Sequence, residues 1–212
     1  MKVLRFRIAK KSLWTPTETE SAPDVRFVPP LMRRKLSLLE KSGLFVLNAV
    51  APAEPRPTIF ASRFGEWRQT FRLLRQLREE GEISPAGFSL SVHNATPGIF
   101  SLIRGDASPY TAIAAGESTI ESGLLETLLP RVPALFVYAE EAAPEFYASA
   151  LRERVPAGAF ALAVEHGEDF EMSAGVPDAA PVSFDEIRDF FFGEKTELRG
   201  NAFSLRKLRQ TP

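Results

Sequence analysis

Cysteine is absent from this sequence of 212 residues. Its absence excludes disulfide bonds, thiolate metal sites and cysteine catalysis, and it is compatible with the cytoplasmic location that we expect. Histidine is scarce, with only His93 and His166. We expect His93 to make a structural hydrogen bond and His166 to lie at the surface, so neither is a strong candidate for catalysis.

The sequence also lacks a large excess of one charge and a long apolar run. The net charge of −1 argues against a general nucleic-acid binder. The longest apolar stretch, residues 43–53, is too short to span a membrane. Lys2 and Arg5 fall in an alternating strand pattern, not before the apolar segment of a signal peptide. We therefore expect neither nucleic acid nor a membrane among the partners.

The spacing of apolar residues predicts an α/β protein with a mixed sheet flanked by helices. Strands are expected at 2–8, 58–62, 110–115, 134–138 and 158–165, with a further alternating run that ends at 92–94. Helices are expected at 30–50, 67–80, 99–103, 117–128 and 183–192. Residues 201–209 are expected to form an edge strand or a docking arm. We expect one domain over 1–212, with its core in about 1–167 and a C-terminal helix and tail in 168–212.

A strand, a sharp turn and a helix follow one another between residues 110 and 128. The turn carries Glu117 and Ser118 at the start of the helix, where backbone donors and the helix dipole favour an anion. Many enzymes place a nucleophile at such a turn. Glu117 is therefore either a catalytic carboxylate or simply a favourable partner of the helix dipole, and the second interpretation is favoured.

This stretch resembles the N-terminal half of the β-ketoacyl synthases, the condensing enzymes of thiolase-like fold. Without a gap, the helix glycine of that family falls on Gly98, its turn glycine on Gly105 and its pre-strand proline on Pro109. The nucleophilic cysteine of the family falls on Glu117. The segment 158–165 also resembles the strand that closes the N-terminal half. The resemblance covers about residues 2–167 and implies a thiolase-like half with a mixed five-stranded sheet.

Condensation requires a thiolate and the two histidines that ketosynthases carry in a second, similar half. This sequence contains neither a cysteine nor the second half that carries those histidines. The resemblance therefore implies a single-half, non-catalytic subunit of chain-length-factor type, with no cofactor. Such subunits serve aryl polyene and other type II polyketide or fatty-acid systems. The implied partners are a full-length β-ketoacyl-ACP synthase, a second copy of the chain when no synthase is present, and an acyl carrier protein.

In the family, two subunits join through the strand that precedes the nucleophile. The matching residues are Tyr110, Thr111, Ala112, Ile113 and Ala114. We expect this strand to be buried in an assembly, and the isolated chain to show an open sheet edge and exposed apolar surface.

Three arginines, Arg68, Arg72 and Arg75, lie on one side of the helix expected at 67–80. They form either a solvated face, which is the more frequent case, or a docking patch for an acidic carrier protein.

Two other functions compete with this interpretation. Residues 116–120 come close to the hydrolase motif G-x-S-x-G, with isoleucine in place of the last glycine. Ser118 would then be the nucleophile, with His166 as base and Glu140 or Glu165 as acid. The other alternative is a stand-alone module that binds an acyl chain or a carrier protein.

Overall fold

The computed structural model describes residues 3–148, 151 and 155–208. In this part of the chain, seven strands form one mixed sheet. The strands are β1 (Leu4–Trp14), β2 (Thr58–Ala61), β3 (Tyr110–Ile113), β4 (Ala134–Glu140), β5 (Gly158–Ala174), β6 (Glu197–Arg199) and β7 (Phe203–Lys207). The helices are α1 (Pro30–Arg33), α2 (Leu38–Val50), α3 (Trp67–Glu80), α4 (Pro85–Ser89), α5 (Ala95–Arg104), α6 (Thr119–Leu128), α7 (Glu145–Ala148) and α8 (Phe184–Phe192). A 3₁₀ turn, Gly116–Ser118, joins β3 to α6.

The strands lie in the order β3-β2-β4-β5-β7-β6, and β1 pairs with the other side of β5. β2 runs parallel to β3 and β4, whereas β5 is antiparallel to β4. The mixed sheet is confirmed, but the predicted count of five strands is wrong. β5 continues past Glu165 to Ala174 and there pairs with β7, which pairs in turn with β6.

The carboxyl ends of the parallel strands β2, β3 and β4 meet at one edge of the sheet, called here the carboxyl edge. Successive side chains of a strand point to opposite faces, and both faces of this sheet are covered. Phe60 and Val137 pack on the side of α2 and α5, and Phe136 and Tyr138 pack on the side of α6 and α8. Gly123 lets α6 approach closely, because a Cβ there would lie 2.5 Å from the ring of Phe136.

The single helix expected at 30–50 is two helices. α1 ends at Arg33, and Ser37 begins α2 with a capping box. The Ser37 hydroxyl accepts the backbone N–H of Glu40 at 2.9 Å, and the Glu40 carboxylate accepts the backbone N–H of Ser37 at 2.8 Å. Such a box satisfies free donors at a helix start and so favours a new helix at this position. A second capping box, formed by Ser183 and Glu186, begins α8 within the helix expected at 183–192.

The strand expected to end at 92–94 is wrong. Ser84 caps a short helix, α4, by accepting the backbone N–H of Gly87, and Pro85 occupies its first turn. Proline suits that position because its missing N–H would have no helical partner there. The apolar alternation that suggested a strand includes Phe88 and Val92, both of which are exposed.

β1 continues beyond the expected end at Ile8, because residues 10–14 pair with residues 159–163 of β5. β7 is an interior strand between β5 and β6, so the expected edge position of residues 201–209 is wrong; Arg209, like Lys2, lies outside the described residues. None of the described helices combines the length and the apolar character needed to cross a membrane.

Candidate functional site

The predicted strand, turn and helix are present at the carboxyl edge. Gly116 has a φ of 59°, in the left-handed region that glycine adopts without strain. The Thr119 hydroxyl donates to the carbonyl of Gly116 at 2.6 Å and accepts the backbone N–H of Ala115 at 3.0 Å. Thr119 is buried. It therefore fixes the turn and begins α6 directly behind it.

Glu117, on which the sequence resemblance places the nucleophile, projects from this turn. Its side chain is 61% exposed, and one of its carboxylate oxygens lies 3.6 Å from a guanidinium nitrogen of Arg63. Arg63 also lies over the ring of Phe64, 4.9 Å from its centroid. An exposed ion pair of this kind contributes about 0–1 kcal/mol. The turn therefore presents a solvated, ion-paired carboxylate and no thiol.

A cavity of about 330 Å³ lies against the turn. The turn, the start of α6 and the end of β4 form one wall, and residues 180–185 form the other. Ile120, Tyr138 and Phe184 give it apolar surface, whereas Arg63 and Glu117 add charge. The cavity has the composition of a small ligand site.

The structure does not bring together the residues of the hydrolase alternative. Ser118 lies at the carboxyl edge, whereas His166 lines a groove with Thr127 and Leu128 at the opposite end of α6. A ten-residue helix is about 15 Å long. Glu140 accepts the hydroxyl of Ser62, and no hydrogen bond of the Ser118 side chain is found within the described ranges. Glu165 is engaged elsewhere, in ion pairs with Arg7 and Arg56.

The expected structural role of His93 is confirmed. Its Nε2 donates to the backbone carbonyl of Ser62 at 2.8 Å, and its ring meets the edge of Phe60 at a centroid distance of 5.6 Å. A Cβ on Gly65, which has a φ of 57°, would lie 2.8 Å from the imidazole. His93 therefore supports the loop that follows β2.

β3 lies at an edge of the sheet and, among the described strands, pairs only with β2. Tyr110, Thr111 and Ala114 are exposed, whereas Ala112 and Ile113 are half-buried against the two core clusters. In the isolated chain the outer side of β3 is therefore unpaired, as the sequence predicts. The burial of this strand that we expect in an assembly would require a partner chain. Its outer N–H and C=O groups are available for strand pairing.

Exposed apolar side chains adjoin this edge. Leu102, which is 75% exposed, lies one turn after Gly98 on α5. A Cβ on Gly98 would lie 3.4 Å from the hydroxyl of Tyr110, so this part of α5 borders β3. Apolar surface beside an open strand is typical of a protein interface.

The three arginines proposed as a carrier patch do not form a uniform surface. Arg68 donates to the carbonyl of Ala142 at 2.9 Å, and Arg75 pairs with Glu79 at 3.4 Å. Arg72 is exposed and makes no ion pair with any residue that the structure describes. Two of the three side chains are thus partly occupied within the chain.

A more basic surface was missed by the sequence analysis. Arg26, Arg33, Arg34 and Lys41 line a cleft of about 360 Å³. Asp24 pairs with Arg26, but within the described ranges the other three cations have no ion pair. The run MRRK at 32–35 was the available signal. The run does not by itself indicate a cleft, because the sequence predicts that it lies inside one long helix.

Four buried glutamates, Glu40, Glu66, Glu140 and Glu141, form a second feature that was missed; they are called here the acidic cluster. Burial raises the pKa of Glu66 to about 9 and that of Glu140 to about 8, and it raises the pKa values of Glu40 and Glu141 to about 7. No group of side chains suited to a metal ion occurs in the described part of the chain. Because glutamate is ordinarily exposed, sequence alone does not signal such a cluster.

A fifth buried carboxyl group, Glu121, holds the turn between β6 and β7 against the flank of α6. Its Oε1 accepts the backbone N–H of Ala202 at 3.3 Å. Gly200 lies so close that a Cβ there would collide with this oxygen. The turn between β6 and β7 is therefore linked to the helix that begins at the Glu117 turn.

The chain is similar to known proteins in both sequence and fold. The family model described as "Beta-ketoacyl synthase, N-terminal domain" matches residues 8–188. A chain in the structure of a ketosynthase (ApeO) in complex with its chain length factor (ApeC) from Xenorhabdus doucetiae is 20% identical, with a TM-score of 0.79. The alignment covers 96% of this chain and 100% of that one, so the two are similar in length. No curated protein sequence matches the chain.

Two further structures are similar over part of their length. The ishigamide ketosynthase/chain length factor is 17% identical, with a TM-score of 0.55 over 74% of this chain and 55% of that chain. AntDE:AntF, a type II PKS acyl-carrier protein in complex with its ketosynthase, is 16% identical, with a TM-score of 0.56 over 74% and 57%. This chain therefore spans little more than half the length of those two. These likenesses establish a thiolase-like, ketosynthase-type fold.

Proposed function

The chain belongs to the family of the β-ketoacyl synthase N-terminal domain, and we propose that it is a non-catalytic subunit of chain-length-factor type. It would pair with an active β-ketoacyl-ACP synthase in the cytoplasm and serve an aryl polyene or another polyketide or fatty-acid pathway. One observation carries the proposal: the nucleophile turn holds Glu117, an exposed carboxylate that is ion-paired with Arg63.

The chemistry of condensation supports a non-catalytic role. A condensing enzyme holds its acyl chain as a thioester on a thiolate, and this sequence contains no cysteine. The purified chain is expected not to condense acyl and malonyl groups by itself. Carbon–carbon bond formation by the chain alone would refute the proposal.

The pairing is proposed to occur across β3. A second strand added to this open edge would satisfy its free backbone groups, and the exposed Leu102 would be covered beside it. The likeness in fold and length to a chain from a ketosynthase–chain length factor complex supports pairing with a synthase.

Co-expression with candidate synthases from the same host, followed by co-purification, tests the pairing. Ala114→Glu is the most suitable interface variant, because Ala114 is exposed and Ala112 packs against the core. A charge buried in an interface is strongly unfavourable, so this variant should fail to retain a synthase that the wild type retains. Ala53→Glu, in an exposed loop, is the matched control. Equal retention by both variants would contradict pairing through β3.

The second candidate function is a stand-alone module that binds a carrier protein. The basic cleft at Arg33, Arg34 and Lys41 is the observation that favours it. The two functions differ in assembly. A stand-alone module would bind a carrier protein as a monomer and would ignore an added synthase.

A further inference from the structure

The acidic cluster joins three segments of the chain at the carboxyl edge. Ser37, at the start of α2, donates its hydroxyl to Glu66 at 2.8 Å and its backbone N–H to Glu40 at 2.8 Å. Glu66 immediately precedes α3, and Glu140 ends β4. The cluster therefore ties the first turn of α3 to α2 and to the end of β4.

The cluster also positions the loop that reaches the candidate site. The carboxylate of Glu140 accepts the backbone N–H of Arg63 at 2.7 Å and the hydroxyl of Ser62 at 3.2 Å. The side chain of Arg63 lines the cavity and lies 3.6 Å from Glu117. The conformation of residues 62–66 thus links the buried carboxyls to the rim of the cavity.

Few positive charges face these carboxyls. Arg68 on α3 lies 3.8 Å from Glu141, Lys41 on α2 acts electrostatically on Glu40, and Arg63 contributes through its backbone. His93 lies against the same loop at Gly65. The negative charges of Glu40, Glu141 and Glu140 each add to the rise in the pKa of Glu66, after the larger effect of its burial.

Three carboxyl oxygens in the cluster have no hydrogen-bond partner among the described residues. They are Oε1 of Glu40, Oε2 of Glu66 and Oε1 of Glu141, and all three side chains are at least 97% buried. A protonated carboxyl tolerates such a position far better than a carboxylate does. The arrangement is therefore compatible with protonated groups and unfavourable once several are ionised.

We propose that the acidic cluster is a proton-dependent latch. With its protons in place it holds residues 62–66 and the first turns of α3 against α2 and β4. Loss of the protons puts several negative charges into one buried site, and their repulsion releases the loop that carries Arg63 from the rim of the cavity. The latch is a property of the chain itself and needs no partner.

The opening should occur in the range in which the buried carboxyls titrate, about pH 7 to 9. For each proton released on opening, the opening equilibrium constant rises about tenfold per pH unit. The effect should be local, because β5 and β7 contribute no group to the cluster.

Hydrogen–deuterium exchange of the full chain between pH 6 and 9, corrected for intrinsic exchange, tests the latch. Between pH 6 and pH 9, the amide protection factors of residues 62–75 should fall at least tenfold more than those of residues 158–174. Glu66→Gln, which keeps the size of the side chain and removes the titrating group, should reduce this difference, whereas Glu79→Gln, exposed on α3, should not.

Two outcomes would overturn the latch. One is a pH dependence of residues 62–75 that equals that of β5. The other is a Glu66→Gln variant that keeps the full wild-type pH dependence. If Glu66→Gln does not fold, Glu141→Gln serves as the second variant with the same criteria, and the wild-type comparison stands without either.

Discussion

The close contact between Glu121 and Gly200 should contribute measurably to the free energy of unfolding. Replacing Glu121 with alanine leaves the backbone N–H of Ala202 without its acceptor in a partly buried position. An unsatisfied buried donor costs about 1–3 kcal/mol. Part of this loss is offset, because the variant no longer buries a carboxyl whose pKa is raised by desolvation. We expect Glu121→Ala to lower the free energy of unfolding by about 2 kcal/mol.

Gly200→Ala perturbs the same contact from the other side. The new Cβ would collide with Oε1 of Glu121 and lie 2.5 Å from a methyl group of Val182. Overpacking of this kind costs about 1–3 kcal/mol. When both residues are alanine, the collision with the carboxylate disappears and only the contact with Val182 remains. The double variant should therefore lose at least about 1 kcal/mol less than the sum of the single variants.

Urea unfolding followed by circular dichroism at one fixed pH measures all three changes. Glu126 lies exposed on the same helix, so the pair Glu126→Ala and Gly200→Ala is the matched control. Independent sites add within about 0.5 kcal/mol. If the changes in the free energy of unfolding of Glu121→Ala and Gly200→Ala add as closely as those of the control pair, the two residues are not in close contact.

Three further predictions follow from the site. Glu117→Gln should leave the product formed with a partner synthase nearly unchanged, because the loss of a favourable dipole contact costs about 0.3–1 kcal/mol; a collapse in product with the complex intact would indicate a chemical role. The double variant Arg33→Glu/Arg34→Glu should weaken binding of an acidic carrier protein at least tenfold by titration calorimetry, whereas Arg72→Glu should change it little; the reverse order would move the carrier site to α3. The four carboxyls of the acidic cluster have folded-state pKa values above their unfolded value of 4.5, so the folded chain binds more protons than the unfolded chain. The free energy of unfolding should therefore fall by at least about 1.4 kcal/mol per pH unit between pH 6 and 8. A free energy of unfolding that stays constant or rises over this range would contradict the burial of these groups.

The elements with strong local signals were predictable from sequence. β4 and the first half of β5 are continuous runs of small and apolar residues and are fully buried. The turn at Gly116 was also predictable, because glycine separates a strand pattern from a helical one. These segments set the carboxyl edge and therefore the location of the candidate site.

The errors have a common physical cause, which is that the decisive interactions are not local. The second half of β5 alternates polar and apolar residues because its side chains point alternately to solvent and to the core. Its pairing with β1 and β7 is not visible in its own sequence. The acidic cluster is assembled from Glu40 on α2, Glu66 before α3 and the adjacent pair Glu140 and Glu141 at the end of β4, three segments that are distant in sequence. The basic cleft likewise joins the loop at Arg26 to Lys41 on α2.

The Glu117 turn has a role that does not depend on catalysis. Its left-handed glycine and the hydrogen bonds of Thr119 end β3 sharply and turn the chain into α6. If the turn relaxed, β3 would lose the anchor that holds it as the open edge of the sheet. A geometry suited to exposing a nucleophile is therefore equally suited to fixing an edge strand. A chain can lack the thiolate and still require the same backbone, which explains why the turn is well formed around a solvated carboxylate.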